Sequence, residues 1–329
     1  MIEIGYALSS EEHAPNDLVN NARLAEEAGF TFALVSDHFH PWIDRQGHSP
    51  FVWSVIGGIA QVTTKLRLGT GVTCPTIRIH PAIIAQAAAT SAAMMPGRFF
   101  LGVGTGEALN EHILGDHWPP HDERIEMLEE ALEVIRLLWQ GGEQTFRGLY
   151  YTVENARIYT LPDEPPPIMV AASGPKAAER AGEIGDGLIS TAPEKELAEK
   201  FQGAGGKGKP RIGQFTVCWD EDEAKARRTA HEWWPNAALP GELSQELPTP
   251  SFFEQASKLV KEEDVAEDII CGPDAQKHID KINEFSEAGF DHVYVHQVGP
   301  NQEGFIRFYE KEVLPNIAGA TGRAQVSSK

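Results

Sequence analysis

An acid, an imidazole and an indole follow one another closely after a short apolar run. Asp37, His38 and Trp42 come just after residues 32–35, whose apolar side chains predict a buried strand. Histidine has the unperturbed pKa nearest to neutral pH, so His38 is the natural proton carrier of this segment. Taken alone, the segment fits equally well a loop in which Asp37 caps the next element and His38 is incidental.

A second candidate group combines three glycines with a carboxylate. Gly102, Gly104 and Gly106 span the end of another apolar run and are followed by Glu107. Glycines would let a flat ring approach the backbone closely, and Glu107 could act as a general acid. The alternatives are a plain turn and a solvated carboxylate. The spacing is not that of a dinucleotide-binding loop, which would need GxGxxG after the first strand.

A third group is the turn Ala172-Ser173-Gly174-Pro175, which leads directly into a predicted helix. Free backbone N–H groups at the start of a helix suit a phosphate. The alternative is that Ser173 caps the helix and Pro175 occupies its first turn.

The elements that must position these groups alternate between strand and helix. Strands are predicted over residues 2–7, 31–35, 66–71, 98–103, 168–172, 187–191, 212–219 and 292–297. Helices are predicted over residues 16–28, 52–62, 81–94, 123–139, 175–184, 194–201, 222–234, 274–288 and 305–313. Eight strand-then-helix units indicate an α/β fold of the (β/α)8 TIM-barrel type, and the runner-up is a doubly wound open sheet. In a barrel the carboxyl ends of all strands share one rim, so the three groups would converge there.

Two segments interrupt the alternation. Residues 141–166 contain a predicted hairpin at 146–153, and residues 235–263 form an irregular stretch with several prolines. We expect a single domain over residues 1–329, with both segments as insertions at the C-terminal rim. The tail after Pro315 is expected to be frayed.

Composition excludes several classes of function. The formal net charge of -20, without a basic patch, argues against binding to nucleic acid or to an anionic membrane. Cys74, Cys218 and Cys271 are far apart and odd in number, which fits a reducing cytoplasm and gives neither a disulfide framework nor a zinc site. The sequence shows no signal-peptide pattern, no membrane-spanning apolar run and no metal-ligand spacing.

Four segments resemble one protein family. Residues 36–42, 81–86, 100–111 and 185–187 resemble the luciferase-like barrel superfamily and, within it, the F420-dependent glucose-6-phosphate dehydrogenase group. The resemblance spans most of the chain. It implies coenzyme F420 as the hydride carrier, hydride transfer from a hydroxyl-bearing carbon of a sugar, sugar phosphate or other alcohol, and a homodimer.

The resemblance also implies roles for individual residues. His38 is similar to the base that takes the alcohol proton, and Glu107 to the acid that serves the ring nitrogen of the deazaflavin. Trp42 and Glu11 resemble active-site walls that hold the substrate. The implied coenzyme contacts are Asp37, Gly71, Val72, Thr73, Gly104, Glu107, Asn110, Ala171, Ala172, Ser173 and Gly174. The family's non-proline cis peptide would lie at Gly71-Val72, where glycine replaces the expected serine.

One departure concerns the substrate. Glu194 and Glu267 stand where the resemblance leads us to expect basic residues that clamp a sugar phosphate. A phosphate dianion needs cationic partners, so glucose 6-phosphate is disfavoured, although Lys195 could substitute in part. The open alternatives are an F420H2-dependent reductase, an FMN-dependent monooxygenase of the same fold, and a catalytically idle deazaflavin carrier.

Overall fold

The structure is a computed structural model that describes residues 2–317. Its strands are β1 (Glu3–Leu8), β2 (Phe32–Val35), β3 (Arg67–Thr70), β4 (Phe99–Val103), β5 (Gln144–Arg147), β6 (Thr152–Ala156), β7 (Ile168–Ala171), β8 (Gly187–Ser190), β9 (Arg211–Cys218), β10 (Ile270–Cys271) and β11 (His292–Gln297).

The α-helices are α1 (Pro15–Ala28), α2 (Val52–Val62), α3 (Pro81–Met94), α4 (Ala108–Glu111), α5 (His121–Trp139), α6 (Pro175–Ile184), α7 (Lys195–Phe201), α8 (Glu223–Trp233), α9 (Gly241–Glu246), α10 (Pro250–Ser257), α11 (Glu262–Asp268), α12 (Ala275–Glu287) and α13 (Gln302–Phe308). Short 3-10 turns cover His112–Leu114, Pro235–Ala238 and Leu314–Asn316, and a π-helical turn covers Tyr309–Val313. Gln202–Gly206 continues α7 as a turn that is broken at Ala204 and Gly205, where the backbone is not helical.

Eight parallel strands close into a barrel in the order β1, β2, β3, β4, β7, β8, β9 and β11. β11 pairs with β1 in the register Glu3↔His292, and β8 pairs with β9 in the register Leu188↔Arg211. The (β/α)8 barrel prediction is therefore confirmed. The open doubly wound sheet is wrong, because the two ends of the sheet pair with each other.

The barrel strands are short and buried on both faces. All four residues of β2 are buried, as expected of parallel strands covered by helices. The interior is filled by a separate apolar cluster that includes Phe32, Leu34, Phe100 and Tyr294. Gly69 is required there, because a Cβ at this position would lie 2.0 Å from the Phe100 ring.

The hairpin expected in residues 141–166 is present as the antiparallel pair β5–β6. The Glu130 carboxylate of α5 accepts hydrogen bonds from the backbone N–H groups of Leu149, Tyr150 and Tyr151, at 2.7–2.9 Å. The Tyr151 hydroxyl then donates to the Thr76 carbonyl oxygen at 2.9 Å. These contacts hold the hairpin against the outside of the barrel.

The expectation of an irregular stretch over residues 235–263 is wrong. The segment contains a 3-10 turn, α9, α10 and the start of α11. The prolines mislead because Pro235 and Pro250 occupy first turns, where a missing N–H costs nothing, rather than helix interiors. Phe253 of α10 packs on Trp42, Ile43 and Leu109, so the segment lies over the loops that follow β2 and β4.

Other boundaries differ from the predictions by a few residues. The closing helix, α13, begins at Gln302 rather than at residue 305. The Gln302 side-chain amide donates to the carbonyl oxygens of Gln297 and Gly299. Residues 318–329, most of the tail expected to be frayed, lie outside the described residues. Across residues 2–317, no helix combines the length and the apolar character needed to cross a membrane.

Candidate active site

A cavity of about 320 Å³ opens at the carboxyl ends of the barrel strands. Its walls come from the segments that follow six of the strands and from one face of α5 and α6. The predicted site residues that line it are Glu11, His38, Trp42, Gly71, Val72, Gly104, Glu107, Ala171, Ala172 and Ser173.

One end of the cavity holds an imidazole–carboxylate pair. His38 Nε2 lies 3.3 Å from Glu11 Oε1, and both side chains are largely buried. Glu11 Oε2 also accepts a hydrogen bond from the Ser36 hydroxyl at 2.5 Å. Burial opposes ionisation of Glu11, but His38 and the Ser36 hydroxyl outweigh it and hold the pKa of this carboxyl below its ordinary value. Glu11 is therefore a carboxylate that faces Nε2.

The other imidazole nitrogen lies between an acceptor and a donor. His38 Nδ1 is 3.2 Å from the His40 carbonyl oxygen and 3.1 Å from Asn110 Nδ2. The Asn110 amide is oriented by its Oδ1, which accepts from the backbone N–H of Phe39 at 2.8 Å. Nδ1 can therefore donate to His40 or accept from Asn110, and a partner is available whether or not it carries a proton.

Glu107 faces the cavity from the N-cap position of α4. Its Oε2 lies 3.4 Å from Asn110 Nδ2, which also contacts His38. Residues three apart share one face of a helix, and this spacing brings Asn110 next to Glu107. One amide group thus bridges the two candidate proton-transfer residues.

Four predicted coenzyme contacts do not line the cavity. Asn110 is buried directly behind it, and Gly174 is the N-cap of α6. Asp37 and Thr73 are buried and bond to each other, with the Thr73 hydroxyl donating to Asp37 Oδ2 at 2.8 Å. The Asp37, Thr73 and Asn110 side chains therefore support the wall instead of forming it, and Gly174 contributes only backbone at the start of α6.

Asp37 belongs to a buried ion cluster, hereafter the Arg78 cluster, made of Asp37, Arg78 and Glu111. Arg78 Nη2 donates to Asp37 Oδ1 at 2.8 Å, while Arg78 Nε is 3.4 Å from Glu111 Oε1. Burial raises the pKa of Glu111 to about 7 despite the attraction of Arg78. Arg78 already has a closer anionic partner in Asp37, so it compensates the burial of Glu111 only in part.

The backbone of one cavity wall has the cis peptide bond that the resemblance implies. The peptide bond Gly71-Val72 is cis, at the position that the resemblance implies. A Cβ at Gly104 would lie 2.9 Å from Val72 Cγ2, so glycine keeps this wall at backbone level. Val72, Ala171 and Ile189 give the cavity an apolar side.

Several residues that line the cavity are not among the site residues predicted from the sequence. Tyr294 lines the cavity from β11, and its hydroxyl donates to Gln214 at 2.8 Å. The sequence pattern that could have predicted this wall is the pair of polar side chains at alternate positions of β11, Tyr294 and His296. Gln245 lies in α9, which the sequence did not predict. Arg180 lines the cavity from α6, where it is paired with Glu129 and Glu183.

Within residues 2–317, no group of three or more histidine, cysteine, aspartate or glutamate side chains is arranged to hold a metal ion.

Comparison with known sequences gives relatives that carry the same name and match nearly the whole chain. F420-dependent glucose-6-phosphate dehydrogenase from Microbacterium testaceum is 37% identical over 328 residues, covering 96% of this chain and 97% of the relative. The protein of the same name from Beutenbergia cavernae is 37% identical over 329 residues, covering 96% and 98% respectively.

Solved structures share the fold. An F420-dependent secondary alcohol dehydrogenase, in complex with an F420-acetone adduct, superposes with a TM-score of 0.87 at 32% identity, covering 95% of this chain and 98% of that one. Monooxygenase RslO1 from Streptomyces bottropensis has a TM-score of 0.74 at 19% identity over 95% of this chain and 99% of its own, a likeness that concerns the fold alone. The family described as luciferase-like monooxygenase matches residues 1–292, and the chain belongs to this family.

Proposed function

We propose that the protein is an F420-dependent oxidoreductase that removes a hydride from a hydroxyl-bearing carbon. The observation that carries the proposal is the pair His38–Glu11, with 3.3 Å between Nε2 and Oε1, in the same cavity as Glu107. The names of the relatives support the choice of coenzyme, since they describe F420-dependent dehydrogenases of a sugar phosphate and of secondary alcohols.

The cavity suits a flat ring with an anionic tail. Gly71, Val72 and Gly104 would hold the ring, because they present backbone and small apolar groups along one side. Ser173 and the first turn of α6 would hold a phosphate, since the N–H groups at a helix start lack intrahelical partners. When bound, coenzyme F420 supplies the hydride-accepting chemistry.

His38 is the proposed general base for the hydroxyl proton. When Nδ1–H donates to the His40 carbonyl, Nε2 keeps a free lone pair to take that proton. Glu11 then lies 3.3 Å from the nitrogen that becomes charged. Trp42 packs edge-on against the imidazole, with 5.0 Å between ring centroids, and limits its movement.

Glu107 is the proposed acid at the other side of the cavity. It would hold a proton on its carboxyl group, within reach of the Asn110 amide that also contacts His38. Proton uptake at His38 and proton release at Glu107 would thus occur on two groups that contact the same amide nitrogen, Asn110 Nδ2.

The test is to mix the protein with oxidised F420 and a panel of alcohols, sugars and sugar phosphates. We expect coenzyme absorbance to fall with at least one of them. No fall with any substrate, together with no binding of F420 in a fluorescence titration, would refute the proposal. Turnover only with reduced coenzyme and a carbonyl compound would reverse the assigned direction, and preferential binding of FMN would replace the coenzyme.

We also infer a single-domain homodimer that works in the cytoplasm. The main core cluster includes residues from Ile4 to Ile317, and the three cysteines are buried free thiols. We expect one cooperative transition in calorimetry and a dimer mass in light scattering. A monomer mass at micromolar concentration would contradict the dimer.

A further inference from the structure

A second, smaller chamber of about 50 Å³ adjoins the main cavity. The two spaces share Glu11, Ser36, Gly71 and Tyr294 as lining residues. We propose that the chamber receives one uncharged substituent of a compact secondary alcohol, and that Trp234 sets the size it accepts. The inference rests on the proposed function, because it assumes that His38 and Glu11 mark the position of the reacting hydroxyl.

The chamber and the main cavity would each hold one substituent of the reacting carbon. Glu11 borders both spaces, so a carbon held beside the His38–Glu11 pair stands at their junction. One substituent of that carbon would enter the chamber, and the other would extend into the main cavity. A carbon with a hydroxyl and two carbon substituents is a secondary alcohol.

Beyond this junction the chamber has four apolar lining residues, Ala7, Leu8, Leu34 and Trp234, and two polar ones, Ser9 and His296. Its volume is several times the roughly 10–15 Å³ that one ordered water needs, which leaves room for a short alkyl group. Apolar walls stabilise such a group through burial.

Trp234 packs against His296, which lines the chamber beside it. The two rings meet edge-on, with 4.5 Å between centroids. His296 Nε2 lies 2.9 Å from Glu12 Oε2, and Glu12 Oε1 accepts the Gly299 N–H at 2.7 Å. Both side chains of this His296–Glu12 pair are almost fully buried. The pair therefore positions the indole, which makes the chamber size a fixed property of the site.

The charges around the junction disfavour a phosphate. The Glu11 carboxylate borders both spaces, and its pKa is held below the ordinary value although burial opposes ionisation. Arg180 in the main cavity is already paired with Glu129 and Glu183. Lys195 is 74% exposed and lies 3.4 Å from Glu199. Among the described residues that line the two spaces, the one lysine or arginine is the paired Arg180, so a phosphate dianion would meet the Glu11 carboxylate without a spare cation to offset it.

The first experiment changes the proposed wall. Trp234→Ala is compared with Trp233→Ala, since Trp233 is the neighbouring indole and packs under Arg45 outside the chamber. We expect Trp234→Ala to raise the ratio of kcat/KM for hexan-2-ol to that for propan-2-ol by roughly tenfold, the effect of added room in an apolar pocket. Trp233→Ala should leave the ratio as in the wild type. An unchanged ratio in Trp234→Ala, or an equal change in both variants, would overturn the assignment.

A milder variant and a binding measurement guard against loss of folding. Trp234→Phe should shift the same ratio in the same direction by less. F420 affinity, measured by fluorescence titration, should match the wild type in all three variants, because Trp234 lines the chamber and not the main cavity. Hexan-2-ol should raise the thermal midpoint of F420-loaded Trp234→Ala more than that of the loaded wild type. A smaller or equal rise would count against the chamber.

The second experiment tests charge. The wild type should reduce F420 with propan-2-ol at a kcat/KM at least roughly tenfold above that with glucose 6-phosphate. Equal or faster reduction with glucose 6-phosphate would overturn this inference and leave the proposed function intact. Failure with every substrate, combined with no F420 binding, would instead refute the proposed function.

Discussion

Two buried glutamates, Glu11 and Glu111, have opposite pKa shifts. Burial opposes ionisation of both. Glu11 overcomes it through His38 and a serine hydroxyl, and its pKa falls. Glu111 has Arg78 as its cation, but Arg78 lies closer to Asp37, and the pKa of Glu111 rises to about 7. The state of a buried carboxyl therefore follows from how its partners are shared, and burial alone does not fix it.

The same contrast separates two adjacent residues of the chain. His38 faces the cavity, while Asp37 is buried in the Arg78 cluster. The His38–Glu11 pair, hereafter the cavity pair, lines the cavity, so a proton can reach it and leave it there. The polar groups of the Arg78 cluster instead hydrogen-bond to one another. We therefore expect changes at the cavity pair to affect turnover and changes at the Arg78 cluster to affect stability.

The largest expected effect is on turnover. His38→Asn should lower kcat by about 10²- to 10⁴-fold, the usual contribution of a general base. The thermal midpoint should change little. The matched control is His40→Asn, because the His40 imidazole bonds to the Leu109 carbonyl oxygen instead of lining the cavity. Steady-state rates of F420 reduction measure both variants, and a similar loss in the two would remove the distinction between them.

The next effect is on stability. Arg78→Met leaves Asp37 and Glu111 buried without their cation, which should lower the free energy of unfolding by about 3–5 kcal/mol. Arg147→Met is the control, since Arg147 and Glu154 form an exposed pair whose loss should cost at most about 1 kcal/mol. Urea unfolding of both variants gives the comparison. Equal losses would mean that the Arg78 cluster is no more important than a surface pair.

A third effect appears in the pH dependence of stability. The folded-state pKa of Glu111 lies above its unfolded value, so the folded protein binds the extra proton between about pH 4.5 and 7. The stabilisation is complete below that window and is lost as pH rises through it. Relative to Glu111→Gln, the wild type should lose up to about 3 kcal/mol across the window. Urea unfolding at several pH values measures this, and a flat difference would contradict it.

The smallest expected effect is the contribution of Glu11 to the pH dependence of stability, which is opposite in sign to that of Glu111. The folded-state pKa of Glu11 is below its ordinary value, so its contribution to stability is present above that value and is lost as pH falls through the folded pKa. The unfolding free energy of the wild type should therefore decline toward that of Glu11→Gln in acid. If the two glutamates show the same pH trend, the contrast drawn from their partners is wrong.

Local patterns in the sequence predicted much of the fold. The apolar run at residues 32–35 and the helical spacing at residues 123–139 correspond to β2 and α5. His38 and Glu107 reach one cavity because each follows a barrel strand, and strand ends share a rim. The short helices between residues 235 and 263 escaped prediction, since helices of two turns have weak periodicity and their prolines resemble breakers.

Residue types and their short-range order thus determined the barrel, its active rim and the chemistry available there. Tertiary structure decided which neighbouring side chain faces the cavity, which carboxyl shares Arg78, and where Trp234 closes the chamber. These outcomes depend on contacts between distant positions, such as Glu12 with His296, 284 residues apart. A periodicity of two or 3.6 residues carries no information about such pairs, because they form only when the strands close into a barrel.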